Sequence, residues 1–360
     1  MGIILIISSS LVIHRPNCTA NVLHSQRALP NPSPRSLAPN KHMTQYILRR
    51  LLLAGFLIFM VATLVFLMMQ LIPGDVVDAM LTEDMDASPE LMEARRRMLG
   101  LDQPMHVQYL TWIGGFVRGD WGKSPFTGRP VLPDIRAALP RTLELVFSAT
   151  IVAWLVGIPM GIFAAINHRN WLDFGTTSLA LVGISTPIFV TGTMLILVFS
   201  LHLRWLPAVS GGYVSFAENP GRHMQQLILP TLSLGISMAA VLMQMTRAAL
   251  LEVLRQDYVR TARAKGLSVW AVNWRHALKN ALIPVVTVGG MQIGTLLGGT
   301  VIIEAIFLWP GVSTILINAV QRRDYPLVQG VVFVIASASI LITLVVDVVN
   351  AYLDPRIRYS

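Results

Sequence analysis

The fold class is decided by residues 51–72, which read LLLAGFLIFMVATLVFLMMQLI and contain no Asp, Glu, Lys or Arg. An α-helix rises about 1.5 Å per residue, so about 20 apolar residues cross the roughly 30 Å hydrocarbon core of a bilayer. Uncharged windows of this kind recur at 51–74, 145–168, 174–203, 223–246, 280–303 and 325–346. They predict an all-α polytopic membrane protein with six transmembrane helices, at 51–72, 143–166, 177–201, 227–246, 281–303 and 328–350.

The composition and charge agree with a membrane protein. The 360 residues are 54% hydrophobic and 13% charged, whereas soluble domains carry about 25% charged residues. The net charge of +9 is local, because residues 1–42 hold four bases and no acids and residues 246–280 hold seven bases and two acids. This distribution argues against a nucleic-acid partner. The single cysteine, Cys18, excludes a disulfide framework, a site of several thiolates and a CxxC redox motif.

The orientation follows from the basic residues of the short loops. Lys and Arg accumulate on the cytoplasmic side, so the basic segment 246–280 is predicted to be cytoplasmic. Alternation of the spans then places both termini in the cytoplasm, with 354–360 as a cytoplasmic tail. Residues 73–140, which hold ten acids and seven bases, become a long periplasmic loop. We expect a multi-pass protein of the bacterial inner membrane.

The first 42 residues do not resemble the start of a span. Residues 1–13 are apolar but too short to cross a bilayer, and no basic segment precedes them. Residues 15–41 are rich in Pro, Asn and Ser, which is typical of a linker. We interpret 1–42 as a non-native or disordered extension before a start at Met43, with a signal peptide as the alternative.

No motif predicts catalysis, a cofactor or a metal site. The tripeptide Gly122–Ser124 ends like a phosphate-binding loop, but Val117 stands where that loop needs its first glycine. The eight histidines show no pairing at a spacing of three or four residues, so metal ligation has no support. We therefore expect no enzyme activity in this chain.

Three acids lie near the ends of predicted spans: Glu144, Glu304 and Asp347. Acids within membranes mark proton or ion pathways, but each of these reaches an interface or a partner group. The pattern disfavours an ion-coupled carrier and favours a pore component that is driven by other subunits. A standalone channel or carrier remains the alternative from another class.

The cytoplasmic segment 246–280, called the coupling loop below, has the pattern of a helical elbow. Apolar side chains recur at every fourth position from Leu250 to Ala262, which predicts a helix over 252–265. Gly266 ends it, and Ser268 is placed to cap a second helix that carries two Trp residues and runs to about residue 280. Basic loops also bind anionic lipid, but a compact amphipathic elbow with two Trp residues indicates docking to a protein.

Residues 258–267 (YVRTARAKGL) and 275–284 (RHALKNALIP) resemble the EAA loop of binding-protein-dependent ABC importer permeases, in the dipeptide, oligopeptide and nickel branch. The resemblance extends from Met43 to the C-terminus and rests on further stretches: 73–75 (PGD), 99–102 (LGLD) with Tyr109, 119–122 (GDWG), Glu304 with Phe307 and 309–311 (WPG), 323–326 (RDYP) with 329–330 (QG), and 354–358 (DPRIR). The long first periplasmic loop is similar to that of the first of the two permease subunits. The resemblance implies the transmembrane fold of type I ABC importers, with a first helix at 43–72 and a permease core at 141–353.

The resemblance also implies the function and the partners. The chain would be the permease subunit of an ATP-driven importer for di- and oligopeptides, with nickel, glutathione or another small solute as alternatives. Its partners would be a second homologous permease subunit, two ATP-binding subunits, a periplasmic solute-binding protein and membrane lipid. The residues expected to contact the ATP-binding subunit are Tyr258, Arg260, Thr261, Ala262, Ala264, Lys265, Gly266 and Leu267. The loop departs from the general pattern, since Arg260 replaces its glutamate, Thr261 its first alanine, and Pro284 falls late.

The predicted fifth span carries small and polar residues at regular intervals. Gly290, Gly294 and Gly298 repeat every fourth position, and Gln292 is polar. Such a stripe is typical of close helix packing, and lining of the translocation path is the alternative. In the second span Gly157 and Gly161 around Pro159 predict a flexible point, and Pro187 interrupts the third span.

Overall fold

The computed structural model describes residues 40–71, 77, 89–98, 100–207 and 212–353. Among them the regular elements are helices, apart from one isolated antiparallel bridge between Lys123 and Pro130. The predicted N-terminal extension lies outside the described residues except for 40–42, which begin the first helix. The predicted tail 354–360 also lies outside them.

The described helices alternate between long apolar rods and short connecting helices. In chain order they are α1 Asn40–Gln70, α2 Pro89–Met98, α3 Met105–Arg118, α4 Val131–Ile166, α5 Trp171–Ser185, α6 Ile188–His202, α7 Pro220–Leu254, α8 Asp257–Ala264, α9 Val269–Ile306, α10 Val312–Arg322 and α11 Tyr325–Leu353. In the described part of the chain, α1, α4, α7, α9 and α11 are each long and apolar enough to span a membrane. A sixth span is reached when α5 and α6 are counted together.

The predicted third span, 177–201, is a broken helix rather than one straight rod. Helices α5 and α6 meet at an angle of 103°. Pro187 has no N–H to donate and disfavours the helical region for the preceding residue, and Thr186 is accordingly extended (φ −83°, ψ 122°). The bend therefore follows from a local signal that the sequence contains.

Helix α7 lies at the centre of the bundle. In its most apolar window, 72% of the residues are buried inside the protein, compared with 6% for α11. Helices α4, α5 and α9 pack around it.

The long helices also extend beyond the predicted spans, because an uncharged window marks the membrane core and not the ends of the helix.

Two glycines of α4 allow close packing against α7. A Cβ on Gly157 would lie 2.5 Å from the Ala239 carbonyl oxygen of α7, and one on Gly161 would lie 2.5 Å from the Met243 carbonyl oxygen. Helix α4 continues without a break through Pro159. These glycines bring the backbones of α4 and α7 close together on both sides of the proline, and the flexibility of this point stays a prediction.

Aromatic side chains join α1 and α3 to the rest of the bundle. The Thr63 and Tyr109 hydroxyls are hydrogen-bonded at 2.8 Å. From Tyr109 a continuous series of ring contacts follows, through Phe66, Trp112, Phe116, Trp121 and Phe333. The series ends on α11, so α3 and the Gly119–Gly122 stretch are attached to the last apolar helix.

Candidate functional site

The coupling loop forms three short pieces rather than one helix followed by another. Helix α7 continues to Leu254, the chain turns at Arg255 and Gln256, and α8 then covers Asp257–Ala264. The prediction of one helix over 252–265 is therefore wrong at Gln256, which is extended (φ −68°, ψ 149°). Asp257 lies in the first turn of α8, where free N–H groups favour a negative charge.

The corner after α8 depends on a glycine and on a capping serine. Gly266 has φ +78°, a left-handed conformation that is open to glycine and costly for most other residues. Two residues later the Ser268 hydroxyl accepts a hydrogen bond from the Ala271 N–H at 3.3 Å. The predicted break and the predicted cap are both present. Helix α9 begins here and includes a π-helical segment, Val272–Ala277.

The elbow has a small hydrophobic core of its own. Val259, Ala262 and Val272 are buried and pack against Val253 and Leu254 at the end of α7. Ala262, which was expected to contact a partner, therefore faces the interior of the elbow. The remaining predicted coupling residues are exposed: Tyr258, Arg260, Thr261, Ala264, Lys265, Gly266 and Leu267.

Tyr258 also ties α8 to α9. Its hydroxyl accepts a hydrogen bond from Asn280 Nδ2 at 2.9 Å and donates one to the His276 carbonyl at 3.4 Å. Sequence reasoning did not assign Asn280 a role, although it is a polar residue in the last turn before the predicted fifth span. The two contacts hold α8 in a fixed position relative to the beginning of α9.

The exposed surface of the elbow combines apolar and basic side chains. Trp270 is 71% exposed, and Val269 and Trp274 are also exposed. Arg263 and Lys265 lie on the same short stretch and are exposed as well. Aromatic and basic residues together are typical of a protein docking surface.

A buried ion pair lies at the beginning of the coupling loop. The Arg247 guanidinium on α7 donates to both oxygens of Asp173 on α5, with Nε–Oδ1 at 2.6 Å and Nη2–Oδ2 at 2.8 Å. The Asp173 side chain is 7% exposed and that of Arg247 is 24% exposed. The pair joins the bent third span to the helix that carries the elbow. No local pattern indicates it, because the two residues lie 74 positions apart.

The glycine stripe of α9 divides into packed and open positions. A Cβ on Gly290 would lie 2.5 Å from Val346 Cγ1 of α11, and Gly294 lies next to Thr343. A Cβ on Gly298 would have no atom within 4 Å. Gln292 Oε1 is buried and has no hydrogen-bond partner in the part of the chain that the structure describes.

Gly289 is a packing glycine that sequence reasoning missed. A Cβ there would lie 3.1 Å from both Leu242 and the Trp154 ring. It therefore joins α9 to the central helices α7 and α4. Its signal was the double glycine at 289–290, of which only the second belongs to the stripe.

Each of the three acids near the span ends has a partner. Glu304 is fully buried, accepts a hydrogen bond from the Thr142 hydroxyl at 2.6 Å and accepts another from the Ser313 N–H at 2.9 Å. Glu144 lies 2.5 Å from the His223 ring, and Asp347 forms an ion pair with Arg50 at 2.8 Å. Within the described residues, no group of three or more His, Cys, Asp or Glu could hold a metal ion. The carboxylates therefore connect helices rather than line up as a relay.

Two family descriptions cover most of the chain. Residues 157–359 match the binding-protein-dependent transport system inner membrane component, and residues 43–146 match the N-terminal part of such a membrane component. The chain belongs to this family. It is a multi-pass protein of the inner membrane and the permease subunit of an ABC importer.

The permease has close relatives of known name. It is 41% identical over 318 residues to the glutathione transport system permease protein GsiC of Escherichia coli (strain K12), which covers 88% of this chain and 100% of that protein. The protein of the same name from Salmonella choleraesuis (strain SC-B67) is 42% identical over the same length.

The fold of the permease also has a solved counterpart. A structure of the MetNI methionine ABC transporter in inward-facing conformations matches with a TM-score of 0.51 and 15% sequence identity, covering 62% of this chain and 98% of that chain. The permease therefore has the transmembrane fold of type I ABC importers.

Proposed function

We propose that this permease forms one half of a translocation path for small peptides, driven by ATP that partner subunits hydrolyse. The observation that carries the proposal is the braced elbow with its exposed surface around Gly266 and Trp270. The assembly would contain a second homologous permease subunit, two ATP-binding subunits and a periplasmic solute-binding protein. The coupling loop and both termini would face the cytoplasm.

The way the elbow is connected supports a mechanical role. Its core joins α8 to the end of α7, and its second arm is the beginning of α9. A movement imposed on the elbow therefore reaches two long helices directly. The hydrogen bonds from Tyr258 to the beginning of α9 limit the movement of α8 relative to α9. Such a unit can convert closure of the ATP-binding subunits into a rearrangement of the spans.

The exposed residues of the elbow would form the contact with the ATP-binding subunit. Arg260, Lys265 and Leu267 project from or beside α8, and Trp270 projects from the start of α9. Ala262 would contribute indirectly, because its small side chain lets α8 pack close to Val272 and sets the angle of the elbow.

The four small and polar residues of α9 have two different proposed roles, packing and lining of the translocation path. We assign Gly290 and Gly294 to packing against α11, because α11 side chains lie close to both. Gly298 and Gln292 are the candidates for the path, since the first has open space beside it and the second has an unpaired amide oxygen. A peptide amide would satisfy that oxygen.

Peptides, including the tripeptide glutathione, are the substrate class that the relatives support best. GsiC proteins named for glutathione transport share 41–42% of their residues with this chain over 318 positions.

Two matched tryptophan variants test the coupling role. Trp270 and Trp205 are 71% and 68% exposed, so both tolerate Gln without a cavity. In the complex expressed with all its subunits, Trp270→Gln should reduce both co-purification of the ATP-binding subunit and ATP-dependent uptake of labelled glutathione or dipeptide. Trp205→Gln should leave co-purification unchanged. Equal co-purification of the two variants would count against the docking surface, and uptake by the permease alone in liposomes would support a channel instead.

A further inference from the structure

A cavity of about 490 Å³ lies between residues 126–129, the beginning of α4 and α10. Residues 134–141 of α4 line the cavity and the helix ends at Ile166, so at about 1.5 Å per residue the cavity is about 40 Å from the other end of α4, where the coupling loop lies. Its polar lining consists of three arginines, two aspartates and three neutral polar residues: Arg129, Arg141, Arg322, Asp134, Asp324, Thr127, Thr314 and Asn318. The cavity has no part in the proposed coupling role, and the names of the similar proteins do not refer to it.

Among the described residues, the arginines of the cavity form no direct ion pair with a carboxylate. The side chains of Arg129 and Arg322 are exposed and form no hydrogen bond or ion pair with any other described residue. Arg141 is held in place, since its guanidinium donates to the Pro310 carbonyl at 3.2 Å and lies 4.6 Å from the centre of the Tyr213 ring. A guanidinium has five N–H donors, so Arg141 retains donors for a ligand.

The two aspartates offset this charge only in part. Asp324 is buried and accepts hydrogen bonds from the Ser124 hydroxyl and from the Leu327 N–H. Burial raises the pKa of its carboxyl, and the nearby Arg322 charge acts in the opposite direction. Asp134 is half-buried in the first turn of α4. Three guanidinium groups thus share one cavity with only one accessible carboxylate.

A carboxylate is the group that this arrangement recognises. The planar guanidinium matches a carboxylate with two parallel hydrogen bonds, and such charge-assisted pairs are about twice as strong as neutral ones. The remaining wall is apolar, with Ala138, Ile315 and Leu327. The volume lies in the range of small-molecule sites, about 300–1,000 Å³. A single acidic side chain of a docked protein would leave most of this volume empty.

We propose that this cavity binds a small carboxylate-bearing solute, with Arg129 and Arg322 closing on the carboxylate and the apolar wall receiving the aliphatic part. Arg141 provides the fixed donor at the inner side. The site is distinct from the coupling loop, and the proposal does not depend on which substrate is translocated.

The test uses two probes that differ only in charge. N-acetyl-alanyl-alanine carries a C-terminal carboxylate, and its C-terminal amide is neutral. Binding of each is measured by titration calorimetry on the permease purified with its partner subunits. We expect saturable binding of the acid and binding of the amide that is about tenfold weaker or worse.

Two variants test whether the acid binds in this cavity. In Arg129→Gln/Arg322→Gln the affinity for the acid should fall about tenfold, with the amide unaffected. The control Arg136→Gln removes another exposed arginine of α4 that does not line the cavity, and it should bind as the wild type does. Co-purification of the ATP-binding subunits should be unchanged in all variants, which separates this result from the coupling proposal.

Four results would overturn the proposal. They are equal affinity for acid and amide, no saturable binding of the acid up to about 10 mM, unchanged acid binding in the double variant, and an equal loss in the Arg136→Gln control. In a parallel arm, association of the external binding protein is measured. Loss of that association in the double variant, without any binding of the acid to the wild type, would assign the arginines to protein docking and exclude a small solute.

Discussion

Replacing Gly266 should impair transport in proportion to the cost of its backbone conformation. The residue has φ +78°, and a Cβ built on it would meet no atom within 4 Å. The penalty of a side chain is therefore conformational and not steric within this chain. An L-residue in the left-handed region costs about 1–2 kcal/mol, which lowers the equilibrium constant for forming the native corner about 5- to 30-fold.

A graded set of variants separates conformation from contact. Asn is enriched in the left-handed region, whereas a β-branched residue is an outlier there. We therefore expect Gly266→Asn to retain most ATP-dependent uptake, Gly266→Ala to lose part of it, and Gly266→Val to lose most of it. Uptake and stimulated ATP hydrolysis are measured on the assembled transporter in proteoliposomes, after equal membrane insertion has been verified.

Gly119→Val is the matched control. Gly119 has φ +84° and open space around its Cβ position, but it ends α3 and lies outside the coupling loop. The Gly119→Val variant should lose about as much stability as Gly266→Val, but its ATP hydrolysis should remain normally coupled to uptake. Wild-type uptake in Gly266→Val would refute the role of the corner. Equal damage by Asn, Ala and Val would refute the conformational reasoning and indicate that a partner approaches the glycine too closely for any side chain.

Further predictions concern packing, the buried ion pair and pH. Gly290→Ala should lower the thermal unfolding midpoint of the purified permease, at a cost of about 1–3 kcal/mol for overpacking, whereas Gly298→Ala should not; equal midpoints would contradict the division of the stripe. Arg247→Ala should destabilise by about 3–5 kcal/mol, because it leaves the buried Asp173 carboxylate without its cation. Arg247→Met combined with Asp173→Asn should recover much of that loss, and a double variant no better than Arg247→Ala would argue against the ion pair as the cause. The raised pKa of Asp324 means that the folded state binds its proton more tightly than the unfolded state, so ionisation at neutral pH opposes folding. Asp324→Asn should therefore raise the unfolding midpoint at neutral pH, and the gain should shrink as the pH falls towards the ordinary pKa of Asp; a gain that is the same at both pH values would exclude this cause.

The features predicted correctly from the sequence are those with a local cause. Uncharged windows longer than 20 residues identify the spans. Each spanning helix must by itself be long and apolar enough to cross the hydrocarbon core and must pair its own backbone hydrogen-bonding groups. Pro187 breaks the third span through its own missing N–H. Gly266 and Ser268 form the corner and cap of the elbow because each acts on the adjacent backbone.

Other features depend on where distant segments meet. The sequence marks Gly157 as a small residue of the second span, and only the structure shows that it lies against the α7 backbone. The sequence places Ala262 in the coupling loop, and only the structure shows that it packs with Val272 inside the elbow. In both positions the role of the residue depends on which helix lies opposite.

The sequence by itself therefore determined that this chain is a helical membrane protein with a broken third span and an elbow at Gly266, since hydropathy, proline, glycine and capping act within a few residues. Only the tertiary structure decided that Glu304 binds Thr142, 162 positions away, and that Arg247 binds Asp173. It also brought three arginines into one cavity. The physical reason is that such contacts depend on how each helix is rotated and crossed against its neighbours, and helical periodicity within one segment does not specify the partner on the next.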